Sequence, residues 1–318
     1  MKIAVLNECF LSEDHINRLK ALGEVIIFKN TKTEDEAIER LKGIDIAIWD
    51  GFVCAPTVKI LETTDQLKII VLPHTGYFMV DLEVANKKGI KVANAPGFSK
   101  QAVAELVIGL MFAVNRKISL MDRDMRANPF ESDPGSIEHQ NRYWGFDIKG
   151  RTMGIIGLGR IGSTVATLAM GLGMKVIANN RSPKTMYGVE MVSKEELLKR
   201  ADVISINVTS GADTKNLISA KELSLMKLTA ILINVDQGPM VDTEALYNAL
   251  NNKKISGAGL DQVSGLNKDH PLLKLDNVVF TGHAGSSTNE SFRVNLPELV
   301  VSAVEGFVGG KPVNITNP

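Results

Sequence analysis

Cysteine is scarce. Cys9 and Cys54 are the only two in 318 residues, too few for a disulfide-scaffolded secreted fold and suited to a reducing cytosol. Both read as small buried apolar residues, and neither has an evident histidine partner for thiol chemistry. An excess of charge is also missing: 36 Lys and Arg balance 36 Asp and Glu. That balance argues against a broad basic surface for nucleic acid and against a polybasic membrane anchor. No stretch reaches the ~18 uninterrupted apolar residues of a membrane span. The richest, 102–114, is too short and contains Glu105. The opening run Ile3–Leu6 is brief and followed by Asn7 and Glu8, so it reads as a first strand and not as a signal peptide. No short repeat and no low-complexity tract is present. What remains is ordinary for a globular protein, 44% hydrophobic and 23% charged, and long enough for about two domains.

Short apolar runs alternate with helical segments. Strand-like runs are Ile3–Leu6, Val25–Phe28, Ile44–Trp49 and Ile69–Leu72, then Thr152–Ile156, Lys175–Ala178, Val203–Ile206, Ile231–Asn234, Gly257–Leu260 and Val278–Phe280. They lack the alternation of a one-sided strand, which predicts parallel sheets covered on both faces. Gln101–Arg116 predicts one long helix buried on most sides. Arg126–Phe146 is polar and holds Pro129, Pro134, Gly135 and Gly145, and is expected to be a long surface connection. Asn289–Phe307 predicts a last helix, which spacing alone does not assign to either half.

One turn carries chemistry. Gly157-Leu158-Gly159-Arg160-Ile161-Gly162 follows a strand and opens a helical run. In that setting the first glycine permits the turn, the second lets a pyrophosphate approach the backbone, and the third lets helix and strand pack closely. The ribose selector is expected at the end of the next strand, where NAD binders place a carboxylate. Asn179-Asn180-Arg181-Ser182-Pro183-Lys184 has none. Arg181, Ser182 and Lys184 suit a 2′-phosphate, so NADP is expected, with NAD as the alternative.

The chain then resembles the D-isomer-specific 2-hydroxyacid dehydrogenases over nearly its whole length. The resemblance runs through Gly76–Asp81, Gly89–Gly97, Val103-Ala104-Glu105, Gly154–Gly162, Asn234–Leu246, Gly259-Leu260-Asp261 and Thr281-Gly282-His283. It implies an α/β fold of two doubly wound parallel-sheet domains. A Rossmann cofactor domain, residues 99–285, is inserted into a flavodoxin-like substrate domain, residues 1–98 plus 286–318, with the active site in a cleft between them. It implies a cytoplasmic homodimer acting on a small molecule, with no nucleic acid, membrane or metal partner. Cofactor contacts are implied at Gly157, Gly159, Arg160, Ile161, Asn180, Arg181, Ser182, Val235, Asp261, His283 and Gly285. In the family the residue matching Asp261 bonds the nicotinamide amide.

The family's catalytic set is a histidine, a glutamate that polarises it, and an arginine that grips the 2-keto acid. Ketone reduction needs a proton donor of near-neutral pKa, which suits histidine. A carboxylate beside the ring raises its pKa, and a guanidinium matches a planar keto-carboxylate. His283 matches the histidine, although Gly282 replaces the preceding proline. Gln237 stands at the arginine position within Asn234–Asp242, and the adjacent Asp236 adds negative potential that repels a carboxylate facing it. No glutamate follows Asp261 in 261–271. Asp269 matches the family's Asp-His-Pro helix start and is expected as an N-cap. A lost charge-assisted contact costs ~1.5–3 kcal/mol, so the ordinary 2-keto-acid reaction is not what these residues favour. Trp49, His74, Gly76 and Tyr77 are the candidate substrate contacts. Trp49 lines a pocket or sits in a turn; His74 meets substrate or is a satisfied histidine at a strand end. Three functions follow. The first is an NAD(P)H-dependent oxidoreductase with an altered substrate, a non-standard carbonyl or imine, using His283 and Gln237. The second is a catalytically silent NAD(P)-binding sensor or partner protein. The third, a lyase using bound cofactor transiently, has no specific support.

Overall fold

The computed structural model describes residues 1–7, 9–129, 133–236, 239–263 and 265–317. Two compact units are present: Met1–Ser99 with Ser287–Pro318, and Lys100–Ser286. Each is built on a parallel sheet.

The first unit holds β1 (Lys2–Val5), β2 (Glu24–Ile27), β3 (Ile46–Ile48), β4 (Ile69–Val71) and β5 (Lys91–Ala93), in the order β2-β1-β3-β4-β5. Every pairing between these strands is parallel. Four helices connect them: α1 (Glu13–Leu22), α2 (Glu34–Arg40), α3 (Val58–Thr63) and α4 (Leu82–Lys87). Their starts are chemically marked. Ser12 and Thr33 accept from the backbone three residues on and receive a side chain in return, and Asp81 accepts from Glu83 and Val84 N–H. Such reciprocal caps satisfy donors that a helix leaves open. Burial is complete along β3 and β4, which explains why their sequences do not alternate.

The last helix belongs to this unit. A π-helical turn, Glu290–Asn295, leads into it. Leu296, Val300, Val301, Ala303 and Val304 then pack with Ile3, Val5, Ile46 and Ile69 under the sheet. Arg18 of α1 binds Glu298 at 2.6 Å and Glu305 at 2.9 Å across that packing. Past the helix, the C-terminal segment lies antiparallel beside β5, with Asn317 Oδ1 accepting from Val92 N–H at 2.6 Å. That pairing covers a sheet edge which would otherwise be open.

The second unit opens with α5 (Lys100–Asn115), α6 (Ile118–Ala127) and α7 (Ile137–Tyr143). The expectation of a plain surface connection over 126–146 is corrected here, since α7 lies inside it. Ser136 caps α7, and Arg142 and Tyr143 both bind the Asp124 carboxylate of α6. Then follow β6 (Thr152–Ile156), α8 (Arg160–Gly171), β7 (Lys175–Asn179), β8 (Val189–Met191), α9 (Lys194–Arg200), β9 (Val203–Ile206), α10 (Ala220–Leu225), β10 (Ile231–Asn234), α11 (Thr243–Asn251), β11 (Gly257–Leu260) and β12 (Val278–Phe280). The strand order is β12-β11-β10-β9-β6-β7-β8, all parallel. The chain reverses direction across the sheet between β6 and β9, and ligands of open α/β sheets bind outside the strand ends at such a point. The α5 helix packs on α8, β10 and β11 and contributes Val107, Leu110, Met111 and Val114 to the core. Two doubly wound α/β sheets thus make up the chain. No helix among the described residues is long and apolar enough to cross a membrane.

Candidate functional site

The candidate site is built on strand ends of the second unit on both sides of its direction reversal. The β6–α8 turn is the first. Gly157 has φ +93°, a conformation that a side chain disfavours, and a Cβ there would stand 2.3 Å from the Asn207 carbonyl oxygen. At Gly162 a Cβ would stand 2.1 Å from the Gly157 carbonyl oxygen. Gly159 is different. A Cβ would meet nothing within 4 Å, so packing does not demand a glycine there. The open space above Gly159 leaves room for an approaching pyrophosphate. Gly159 is also the N-cap of the twelve-residue α8 and offers no side-chain cap. The opening N–H groups of that helix are left to an anion. The turn therefore fits a dinucleotide by its own geometry.

The selector loop is tied to this turn. Asn180 Oδ1 accepts from Leu158 N–H at 3.0 Å, and Asn180 Nδ2 donates to the Ser182 carbonyl at 2.8 Å. Arg181 projects into solvent. Its ion pair with Asp213, at 3.5 Å, joins side chains 87% and 83% exposed, a pair of small value that a phosphate outcompetes. Arg160 is exposed and Ile161 half-buried at the start of α8, and Val235 is buried beyond β10.

Beyond β11, Asp261 is 2% exposed, and its carboxylate accepts three hydrogen bonds. Oδ1 accepts from Thr281 Oγ1 at 2.6 Å and Ala284 N–H at 2.7 Å, and Oδ2 accepts from Gly285 N–H at 2.9 Å. The Asp261 carbonyl also accepts from His283 N–H at 2.5 Å. These four bonds shape the loop after β12. Within it Gly282 has φ +63° and His283 φ +64°. A left-handed histidine is uncommon and persists where its surroundings hold it. Here one buried aspartate does so and leaves the imidazole exposed.

Asp236 follows β10. Its Oδ2 accepts from Val208 N–H, at the end of β9, at 2.6 Å. Its own N–H donates to Asn234 Oδ1 at 3.3 Å. That single strong bond does not replace the water it has lost. Burial pushes its carboxyl up to about 7, against the partial opposition of the Val208 N–H. A carboxyl in this range makes Asp236 a functional-site candidate. The sequence shows its charge beside Gln237 but carries no sign of its desolvation. Gln237 itself lies outside the described residues.

One expectation for this unit changes. His270, and not Asp269, caps the 3-10 turn Pro271–Lys274: its Nδ1 accepts from Leu272 N–H at 3.1 Å while Nε2 faces Glu244 Oε1 at 3.0 Å. Asp269 instead donates its N–H to Asn267 Oδ1. The short segment thus starts its helix with an imidazole in place of a carboxylate.

The candidate substrate residues of the first unit follow β3 and β4. Trp49 is fully buried and its indole N–H donates to the Cys54 carbonyl at 2.7 Å. It is a core residue, with no polar atom left for a ligand, which corrects the expectation of a pocket contact. Gly76 lies beside the Phe78 ring, and Tyr77 is 42% exposed. His74 is buried, 7% exposed. It is only half satisfied, with Nδ1 2.5 Å from the Gly76 carbonyl oxygen and Nε2 without a partner. Cys9 and Cys54 are both buried, as expected.

Comparison with known proteins agrees with this geometry. The family model described as "D-isomer specific 2-hydroxyacid dehydrogenase, NAD binding domain" matches residues 108–285. A glyoxylate reductase of Thermococcus litoralis is 37% identical over 317 residues, covering 96% of this chain and 94% of that protein. A glycerate dehydrogenase of Methylorubrum extorquens is 37% identical over 293 residues, covering 91% and 90%. Among solved structures, an acyclic imino acid reductase, Bsp5, in complex with NADPH and D-Arg superposes with a TM-score of 0.86 at 36% identity, covering 99% of both chains. The intact glycine cradle, the Asp261-held histidine loop and these matches together place the chain in the D-isomer-specific 2-hydroxyacid dehydrogenase family, as an NAD(P)-dependent oxidoreductase.

Proposed function

We propose that the protein is an NADP(H)-dependent reductase of a small imine, or of a carbonyl compound outside the ordinary 2-keto acids, working as a homodimer. In this reading His283 is the acid/base and Gln237 stands in for the family's arginine. Asp261 orients the nicotinamide and positions His283.

The observation that carries the reading is Asp236. A guanidinium complements a substrate carboxylate; a carboxylate complements positive charge. An imine accepts hydride readily once its nitrogen is protonated, and that iminium is a cation. His283 delivers the proton to nitrogen, and ionised Asp236 stabilises the charge that results. Bound NADPH supplies the hydride. One imine, one proton and one hydride give one amine, and the proton on His283 is restored from solvent. Because the Asp236 carboxyl titrates at about 7, preference for nitrogen over oxygen substrates rises as pH passes upward through 7.

Supporting observations come from elsewhere in the chain. The selector segment 179–184 has no carboxylate, and its exposed Arg181 suits a 2′-phosphate. The imino acid reductase that is 36% identical is described with NADPH. For the dimer, Ile118, Met121 and Met125 expose one stripe of α6, with Ile137 and Trp144 exposed nearby.

The test is NADPH oxidation with glyoxylate, pyruvate and longer 2-keto acids, each with and without ammonia or methylamine to form the imine. Turnover dependent on the amine, and faster with NADPH than with NADH, is expected. Equal turnover of glyoxylate or pyruvate without amine refutes the nitrogen reading. Tight NADPH binding with no turnover at all returns the protein to the class of silent cofactor sensors.

A further inference from the structure

Charge is divided along the strand ends of the second unit. On one side of the direction reversal, the start of α8 and the segment after β7 carry Arg160, Arg181 and Lys184. On the other side lie the segments 207–211, 234–242, 261–267 and 281–289, which follow β9, β10, β11 and β12. They contain no lysine or arginine, and their ionisable side chains are Asp236, Asp242, Asp261 and His283. Asp242 caps α11 by accepting from Ala245 N–H, and Asp261 accepts three hydrogen bonds. Asp236 is different. It is half-buried, its Oδ2 accepts from Val208 N–H at 2.6 Å, and its Oδ1 accepts from no described residue. Asn234 lies level with Ile206 of β9 and Leu260 of β11, so Asp236 extends the middle strand of these three.

Bridging β9 to β10 needs only an acceptor, which an asparagine would supply. An aspartate adds a charge that burial opposes, and no lysine or arginine of these segments balances it. That leaves the cation to a ligand. A dinucleotide spans the reversal with one mononucleotide to each half of the sheet. With the pyrophosphate at the β6–α8 turn and the selector after β7, the nicotinamide falls on the side without lysine or arginine. Its ring is a cation when oxidised and neutral when reduced.

We infer that Asp236 reads the redox state of the bound cofactor: its carboxylate attracts the oxidised ring and not the reduced one, so binding of the oxidised cofactor is coupled to loss of the Asp236 proton. The coupling rests on the dinucleotide reading of the glycine turn and not on imine reduction. Burial brings the carboxyl to about 7, so the coupling operates near neutral pH. A cation beside the carboxyl favours its ionised form. The oxidised cofactor therefore tightens as pH rises through 7, while the reduced cofactor does not. Loss of a proton from His283 would act with the same sign, so the two groups must be separated.

Dissociation constants of NADP⁺ and NADPH, measured by calorimetry between pH 6 and 8, test the coupling without turnover. Their ratio cancels the titration of the 2′-phosphate, which both forms share. Kd(NADP⁺)/Kd(NADPH) should fall about fivefold or more over this range, and NAD⁺ with NADH should show the same fall. The fall should persist in His283→Ala and vanish in Asp236→Asn, which keeps an acceptor for Val208 N–H. In the unsubstituted protein, titrations in buffers of different ionisation enthalpy should find NADP⁺ releasing up to roughly half a proton at pH 7, and NADPH none. A ratio constant with pH overturns the inference, as does a fall that survives Asp236→Asn or disappears in His283→Ala, or equal proton release by both forms. Failure of both cofactors to bind refutes the dinucleotide reading and the coupling with it. A pH-dependent ratio without amine-dependent turnover upholds the coupling and refutes only the imine reading.

Discussion

Changing Gly159 to alanine and changing Gly162 to alanine are the same chemical edit three residues apart, and they should have opposite consequences. At Gly159 the new methyl enters open space, with nothing within 4 Å and φ at −80°. Losing a glycine N-cap costs a few tenths to ~1 kcal/mol, while the stiffer unfolded chain returns ~0.4–1 kcal/mol. The net change in stability is about zero. The methyl instead occupies the volume a pyrophosphate needs. Displacing the anion from the helix start sacrifices charge-assisted hydrogen bonds worth ~1.5–3 kcal/mol, or roughly 10- to 150-fold in NADPH affinity. At Gly162 the methyl would lie 2.1 Å from a backbone oxygen and 3.1 Å from Ile155 Cγ2. Backbone cannot step aside as a side-chain tip can. Overpacking of this kind costs ~1–3 kcal/mol, or ~2–12 °C in the melting temperature of a domain this size. NADPH titration by fluorescence, beside thermal melts of the cofactor-free variants, separates the two. A Gly159→Ala protein that binds NADPH normally refutes the cradle. A Gly162→Ala protein as stable as wild type refutes the close packing.

Three further outcomes follow from single contacts. Asp236 takes up its proton on folding, since its folded value of about 7 lies above the ordinary carboxyl range; stability should therefore fall as pH rises from about 4 to 7, and Asp236→Asn, which keeps an acceptor for Val208 N–H, should flatten that slope and gain ~2–4 kcal/mol at pH 8 in urea melts. An unchanged slope would mean that the carboxyl is well solvated. Arg181→Ala should weaken NADPH about tenfold while leaving NADH affinity nearly constant, because its only ion-pair partner among the described residues is the exposed Asp213; equal losses for both cofactors would remove Arg181 from the selector. Asp261→Asn turns an N–H₂ toward backbone donors at Ala284 or Gly285, so hydrogen exchange at those two amides should accelerate at least tenfold, and persistent protection would show that the loop holds itself.

Legibility of the fold followed the burial of each element. Thr152–Ile156, Val203–Ile206, Ile231–Asn234 and Gly257–Leu260 appear in the sequence with the bounds they have in the structure, because a strand covered on both faces is a plain apolar run; Val278–Phe280, at the sheet edge, is legible because its residues are apolar all the same. The edge strand β8 does not appear, since its three residues are half-exposed or exposed and leave no such run. Helix α7 hides in a proline- and glycine-marked segment, because what steadies it is Asp124, more than ten residues earlier. The C-terminal pairing beside β5 rests on backbone bonds between Thr316 and Val92 and between Asn94 and Asn314 and on the Asn317 side chain, and has no periodicity to read. In the site, the glycine turn was legible because Gly157 and Gly162 answer to local packing and Gly159 leaves open space at a helix start. Two properties were not: the desolvation of Asp236, set by how β9 and β10 end, and the tautomer of His74, set by a carbonyl two residues on.

The change from proline to glycine at 282 and the retention of Asp261 are one structural fact. Proline fixes φ near −65° and could not take the +63° found at Gly282. Glycine at 282 thus admits a turn closed to the usual family residue, and the following histidine is carried into the left-handed region with it. Such a turn needs an anchor, and the anchor is the aspartate that accepts from Thr281, Ala284 and Gly285 and whose carbonyl takes the His283 N–H. The backbone that carries the imidazole is thereby held by a single buried residue. In the proposed reading, the Asp236 carboxylate after β10 favours a substrate that becomes a cation over one that carries a carboxylate.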